Sequence, residues 1–302
     1  MERIIPWTDL LLIVERVWYN KKLWRKKTDA LLMLKIFFLQ KWYTLADVSI
    51  EEEIWDRKSF QKFLNIDAGS DGVPDATTLE NFRHTLEENK IGEELFTKIH
   101  DILSEKWLLL QKGTSVDATI IAAPSSTKNT EKKRDPEMKQ TKKGNQWYFG
   151  MKLHCGTDSQ SGCIHTLKTS GANEHDSLYF EACLHGEEAV VFADKAYQKK
   201  ERIQTLRSKG VCVQIHRKAR MWEKLSQRQE EENRKRSKIR SKTEHPFHII
   251  KNIFGWNKVP YRWLMKNTEH FFVISALTNI YILKKKLLSS NPLLSSNPLL
   301  SS

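Results

Sequence analysis

The sequence predicts an α/β protein, a mixed sheet with flanking helices preceded by a small all-α domain. Three observations predict it. Up to about residue 110, apolar residues recur at three- and four-residue steps, the period of a helix that buries one face. After Gly113 the pattern changes to short runs rich in β-branched residues. Those runs then alternate with helical stretches, as in a sheet built partly from β–α units. At 302 residues with 39% apolar composition, the chain has room for about two domains and enough apolar surface for a core.

Leu10 to Trp18 and Ala30 to Trp42 are apolar runs longer than ordinary strands and read as helices. Asp47 to Leu64 and Thr77 to Glu88 follow, the second preceded by Val73-Pro74-Asp75, a breaker and an N-cap residue. Ile91 to Leu109 closes the helical region, giving a first domain of residues 1–112. Within it Thr77 to Leu86 fits the second helix of a helix-turn-helix, with Asn81, Arg83 and His84 toward base edges. A plain bundle used for dimerisation fits equally. Strands are expected at Ser115 to Ala122, Trp147 to Thr157 and Cys163 to Thr169, the last two joined by the turn-forming Asp158 to Gly162. Ser177 to Leu184 reads as a short helix, Ala189 to Ala193 as a buried strand, Lys199 to Ser208 as a helix and Val211 to Ile215 as a strand. Residues 216–242 read as a basic insertion or mobile loop, with helix again from Thr243 to Phe254 and from Phe271 to Leu283. The second domain thus spans 113–286. Residues 287–302 repeat Leu-Leu-Ser-Ser-Asn-Pro, a low-complexity tail in which proline forbids a continuous helix.

The net charge of +13 is unevenly placed. Residues 199–242 hold sixteen basic residues against five acidic, and 128–152 hold eight against three, whereas 44–106 hold seven against fifteen. Concentrated positive charge is the footprint of a polyanionic partner, here nucleic acid. The basic segment lacks the apolar stripe of a membrane-surface helix. The longest apolar stretch, Phe271 to Leu283, is broken by Ser275, Thr278 and Asn279 and falls short of the roughly 18 residues of a span. Four cysteines make no disulfide framework, and the N-terminus lacks the order of an export signal, so a cytoplasmic protein is expected.

Three carboxylates occupy unusual places. Asp117 lies inside the first apolar strand, Asp194 ends the strand Ala189 to Ala193, and Glu244 opens a helix after the basic segment. A carboxylate in an apolar strand is costly unless paired or bound to a metal. If the two strands are neighbours, the aspartates stand side by side, and a glutamate from a packed helix completes an all-oxygen site suited to Mg²⁺ or Mn²⁺. Two such ions would clamp a phosphodiester. Read without that context, the same residues are a turn residue, a cap and a surface glutamate.

Several motifs occur in order: Val73-Pro74-Asp75-Ala76-Thr77-Thr78-Leu79, Val116-Asp117-Ala118-Thr119, Gly150-x-Lys152-x-His154, Asn173-x-His175-Asp176, Ala193-Asp194-Lys195-Ala196-Tyr197 and Glu244-His245-Pro246-Phe247. Together, over about residues 40 to 286, the chain resembles bacterial insertion-sequence transposases of the DDE class, in the group named after insertion sequence five. Related families carry Tyr-x2-Arg-x3-Glu-x6-Lys around the last acid. Here Arg240, Glu244 and Lys251 match it and Ser237 replaces the tyrosine. The resemblance implies a ribonuclease-H-like catalytic domain with Asp117, Asp194 and Glu244 as the catalytic and metal-holding triad. It implies DNA as partner, at element terminal inverted repeats and at the target, with a homo-oligomer assembled on it.

Seven residues on a helix make two turns, so Lys251 is expected on the side of Glu244, facing a DNA phosphate. Because proline is tolerated only in a first turn, the helix is expected to start near Thr243, with Arg240 on its approach. Further DNA-binding candidates are Lys195, Lys142, Lys143 and Trp222, an aromatic among cations. His154, His165, Cys155 and Cys163 lack a C-x2-C pair, and zinc is not expected. His175-Asp176 fits a structural loop or the wall of an active site. Two rival readings stand beside a transposase: a DNA-binding protein without catalysis, such as a decayed element or repressor, and a cellular ribonuclease-H-like nuclease.

Overall fold

The computed structural model describes residues 2, 4–20, 28–109, 112–128, 130, 132–216 and 226–289. They form two compact units, one of residues up to Ile102 together with those from Glu269 onward, the other of Leu103–Thr268. The helical unit contains α1 (Trp7–Trp18), α2 (Ala30–Tyr43), α3 (Asp47–Asp56), α4 (Lys58–Leu64), α5 (Ala68–Asp71), α6 (Ala76–Glu88) and α7 (Ile91–Glu105). α2 is apolar on all sides and is accordingly the most buried of these, with Met33, Leu34, Ile36 and Phe38 inside. The single helix expected over Asp47 to Leu64 is broken at Arg57, whose backbone is extended, a break announced by no proline or glycine. Asp75 caps α6 as expected, its carboxylate accepting from the Thr78 N–H at 2.6 Å.

Arg83 departs from its expected role. It is 7% exposed, and its guanidinium donates to Glu87 at 3.0 Å and to Asp47 at 3.2 Å. Beside it Lys41 is fully buried over the Phe37 ring, and burial lowers its pKa from 10.5 to about 7. The apolar residues of α6 turn Arg83 inward with Leu79, Phe82 and Leu86, so it closes a buried charge network and is not presented to bases; Asn81 lies exposed.

The second unit is built on a six-stranded sheet: β1 (Gly113–Ala122), β2 (Lys139–Lys143), β3 (Gln146–Asp158), β4 (Ile164–Gly171), β5 (Val190–Ala193) and β6 (Cys212–Ile215). The order runs β3-β1-β5-β6, with β2 and β4 both on the outer edge of β3. β1, β3 and β4 pair antiparallel, whereas β5 and β6 join parallel to β1, as in the ribonuclease-H-like sheet. Two 3₁₀ turns, Asp176–Tyr179 and Glu181–Cys183, replace the short helix expected there. α8 (Lys200–Ser208) links β5 to β6 and packs Leu206 with Val116, Phe180 and Tyr197 against one face of the sheet. β2 was not legible beforehand, because Lys-Gln-Thr-Lys-Lys is a polar edge without apolar alternation.

The basic segment after β6 is not a loop over its described part. α9 (Gln227–His248) opens on a reciprocal capping box between Ser226 and Gln229 and passes through Pro246. Pro246 has no N–H to offer the Lys242 carbonyl one turn earlier, and the helix continues past it. Arg236 fixes the helix to the end of β6, donating to Gln214 at 2.8 Å and to the Ile215 carbonyl at 3.0 Å. A wider π-helical turn, Ile249–Ile253, follows. The last helix, α10 (Leu264–Ser289), belongs to both units by sequence, and it extends into Leu287–Ser289, where the low-complexity tail was expected to begin. The rest of that tail lies outside the described residues. None of the described helices is long and apolar enough to cross a membrane.

Candidate active site

Parallel pairing of β1 with β5 sets Val116 opposite Ala193, so the next residue on each strand, Asp117 and Asp194, stands at the same end. Asp194 leaves β5 extended and caps a 3₁₀ turn, its Oδ1 accepting from the Lys195 N–H at 2.6 Å. Asp117 accepts from the Ala118 N–H at 2.8 Å. α9 brings the third carboxylate. Thr243, 0% exposed, donates its hydroxyl to Ser115 Oγ at 2.6 Å, joining the residue before Glu244 to the strand of Asp117.

Arg240, one turn before Glu244, lies between the acids. Its Nη1 is 3.7 Å from Asp194 Oδ2 and its Nη2 is 3.6 Å from Glu244 Oε1. Burial raises the Asp117 pKa; the hydrogen bond from the Ala118 N–H and then Arg240 oppose that rise, and the charges of Asp194 and Glu244 add to it. Three carboxylates share one electrostatic neighbourhood and one guanidinium offsets them. Among the described residues no three Asp, Glu, His or Cys side chains are drawn close enough to clasp an ion. The donor chemistry nonetheless fits a hard cation: oxygen ligands only, around a place where the fold already sets a positive charge. Arg240 is on the helix itself, not on its approach.

Lys195 is exposed beside Asp194. Lys251 sits in the π-helical turn, so its seven-residue spacing from Glu244 is not two α-helical turns. Burial lowers its pKa, and the neighbouring charge that acts with burial is Lys143 rather than a carboxylate. Lys142 holds its ammonium 6.0 Å from the Trp147 ring centroid. Trp222 lies outside the described residues. Ser237, in the tyrosine position of the signature, meets His216 Nε2 at 2.9 Å.

The remaining motifs converge on the opposite face of the sheet. Lys152 donates to the Glu174 carbonyl at 2.6 Å and pairs with Asp176 at 2.8 Å. The buried His154 ring stacks on Tyr179 at 4.2 Å and meets Ser170 Oγ at 2.8 Å, while Tyr179 donates to Glu174 at 2.6 Å. His175 caps the Asp176–Tyr179 turn, a structural role for that pair. Gly150 completes the motif because a Cβ there would stand 2.0 Å from the Ile121 carbonyl. Sequence reasoning missed Ser115, Thr243 and Trp147; the first two carried no signal, because a buried hydroxyl pair is visible only once both partners are placed.

Residues 109–280 match the transposase DDE domain family, and residues 1–85 match a second transposase domain, DUF772. The chain belongs to the transposase DDE domain family. Its fold is similar to that of the piggyBac transposase in a cryo-EM synaptic complex with hairpin DNA, at TM-score 0.50 and 11% identity, covering 95% of this chain and 72% of that one. A pre-cleavage Mos1 transpososome matches at TM-score 0.27 and 11% identity, over 89% and 82% of the two chains. The three carboxylates near Arg240 come from β1, the end of β5 and α9.

Proposed function

We propose that this transposase, of the group named after insertion sequence five, cuts the ends of a mobile element and joins the freed 3′-OH to target DNA. The observation that carries the reading is the convergence of Asp117, Asp194 and Glu244 on Arg240. In this reading Asp117, Asp194 and Glu244 would hold two Mg²⁺ or Mn²⁺ ions once drawn closer around them. Bound there, the ions supply Lewis-acid charge to the attacking and leaving oxygens. Water attacks an end phosphodiester, the P–O3′ bond breaks and the 3′ oxygen takes a proton; that hydroxyl then attacks a target phosphodiester, releasing a second 3′-OH. Both steps need positioning and charge neutralisation more than covalent help from the protein.

Arg240 keeps the acids together before the cations arrive, and Lys195, at the mouth of the site, meets a phosphate. Lys142, Lys143 and Lys251 bind the backbone farther along, and Trp222 stacks on DNA among its neighbouring cations. The similar piggyBac structure is a complex with hairpin DNA, and we carry DNA to this chain as partner, with assembly as a homo-oligomer in the cytoplasm on the nucleoid.

The test uses an element-end duplex with the full chain. Asp117→Asn, Asp194→Asn and Glu244→Gln should each abolish Mg²⁺-dependent nicking, weaken Mn²⁺ binding and leave end binding within about threefold. Nicking retained in any of the three would reject the triad. A wild-type chain that binds ends and never nicks would favour the non-catalytic DNA-binding reading.

A further inference from the structure

β3 runs over thirteen residues, and its two edges are covered unequally. β1 pairs with it from Gly150 to Asp158 and β4 from Met151 to Thr157. Residues 146–148 therefore pair with β2 alone, from Gln146 opposite Lys143 to Tyr148 opposite Thr141, while the Phe149 carbonyl still accepts from the Ala123 N–H at 2.7 Å. The result is a two-stranded ribbon, turned at Gly144 with φ +61°, that runs past the end of β1.

Alternate residues of a strand share a face, so Trp147, Phe149, Met151, Leu153 and Cys155 form one row, and Cys155 is the partner of Asp117. Burial along that row fades from complete at Cys155, Leu153 and Met151, through Phe149, to 66% exposure at Trp147. Lys142 is directly opposite Trp147. Lys139, Lys142 and Lys143 are exposed, and none has a carboxylate partner among the described residues. The nearby acids are turned away: Asp135 and Glu137 accept from the backbone N–H groups of Trp263 and Leu264. Ala122, at the ribbon's root, exchanges backbone bonds with Asn257 and Val259 at 3.1 and 2.8 Å. The ribbon is thus held at its base, cationic, and tipped by an indole that no core covers.

We propose that this ribbon enters the major groove of duplex DNA beside the cut, with its lysines on the phosphate walls and Trp147 against base edges. A major groove about 12 Å wide admits a two-stranded ribbon, whereas a minor groove of about 6 Å does not. Uncompensated lysines on both faces of the ribbon match the two phosphate rows that border a groove. An indole has no charge to offer phosphate, but its apolar edge suits a thymine methyl. At about 3.3 Å per residue, Trp147 lies about 26 Å along the strand from Cys155 beside Asp117, a reach of about 8 base pairs. The inference rests on the cleavage reading only for where the cut falls.

The test is guanine-N7 methylation protection and a salt titration of the full chain on an element-end duplex. Trp147→Ala should lose protection centred about 8 base pairs from the cut. Replacing Lys139, Lys142 and Lys143 together by Ala should lower the slope of log affinity against log salt by about 2.7, so that about 40-fold less affinity is lost between 50 and 200 mM. An unchanged thermal midpoint shows that these exposed substitutions leave the fold intact, and the Lys→Gln triple serves as a second variant. Slope and protection equal to wild type in the variants would overturn the proposal, even with cutting intact. So would a chain that binds no duplex, or variants that lose self-association while binding DNA normally. Ribbon-dependent binding without any cutting would keep the ribbon's role and reject the cleavage reading instead.

Discussion

His154 titrates against the burial of its own ring. Burial disfavours the imidazolium and takes its pKa from 6.5 to about 4, although the Asp176 and Glu174 charges pull the other way. The folded value lies below the unfolded one, so the contribution to stability is complete above pH 6.5 and is lost as pH falls from 6.5 toward 4. Urea unfolding at pH 7 and pH 5 should show about 2 kcal/mol lost through this residue. His154→Gln, which has no proton to gain, should shrink that difference by a similar amount; an equal loss in the variant would remove His154 as the cause. The motif containing His154 was legible in the sequence, but its purpose was not. Lys152 and His154 meet Asp176, Ser170 and Tyr179 only because β3 and β4 lie side by side. Arg83 teaches the same lesson in reverse, since its helix position was read correctly and its partners Asp47 and Glu87 turned it inward.

Among the elements, α9 was the hardest to read. Its twenty-two residues from Gln227 to His248 are polar and basic, with almost no apolar period to mark a helix, and Pro246 suggested a later start. The capping box at Ser226 and Arg228–Glu232 and Arg236–Glu232 pairs at i,i+4 spacing support it instead. Ser226→Ala should therefore cost about 1 kcal/mol of stability, read as a lower thermal midpoint, with Mn²⁺ binding unchanged. No loss of midpoint would mean that the cap does not support the helix. The early start matters for the site, because it puts Arg240 one helical turn before Glu244, within reach of both Glu244 and Asp194.

At the scale of the whole molecule, the helical unit is discontinuous in sequence. Phe272 of α10 packs on Phe96 at 5.7 Å between ring centroids, and Glu269 fills the space where a side chain on Gly92 would go. Phe271, Ile274 and Leu277 are buried as well. A fragment of residues 1–112 should accordingly fail to unfold cooperatively by circular dichroism, and one joined through a linker to residues 264–289 should recover a sharp transition. A cooperative melt of the short fragment would show that α10 is dispensable to this unit. End recognition by α6, still an expectation, is best tested on the longer fragment.

The sequence by itself determined the helical beginning and the mixed sheet, because these are written in local periodicity, and it marked Asp117 by the cost of an acid inside an apolar strand. Only the tertiary structure decided that Arg240 stands among the three acids, that Thr243 and Ser115 join α9 to β1 across 128 residues of chain, and that β2 and β3 extend as a ribbon beyond the sheet. The reason is physical: each depends on which strands and helices become neighbours. Short-range patterns of polarity set the elements, whereas charge partners and edge pairing exist only after distant segments have met.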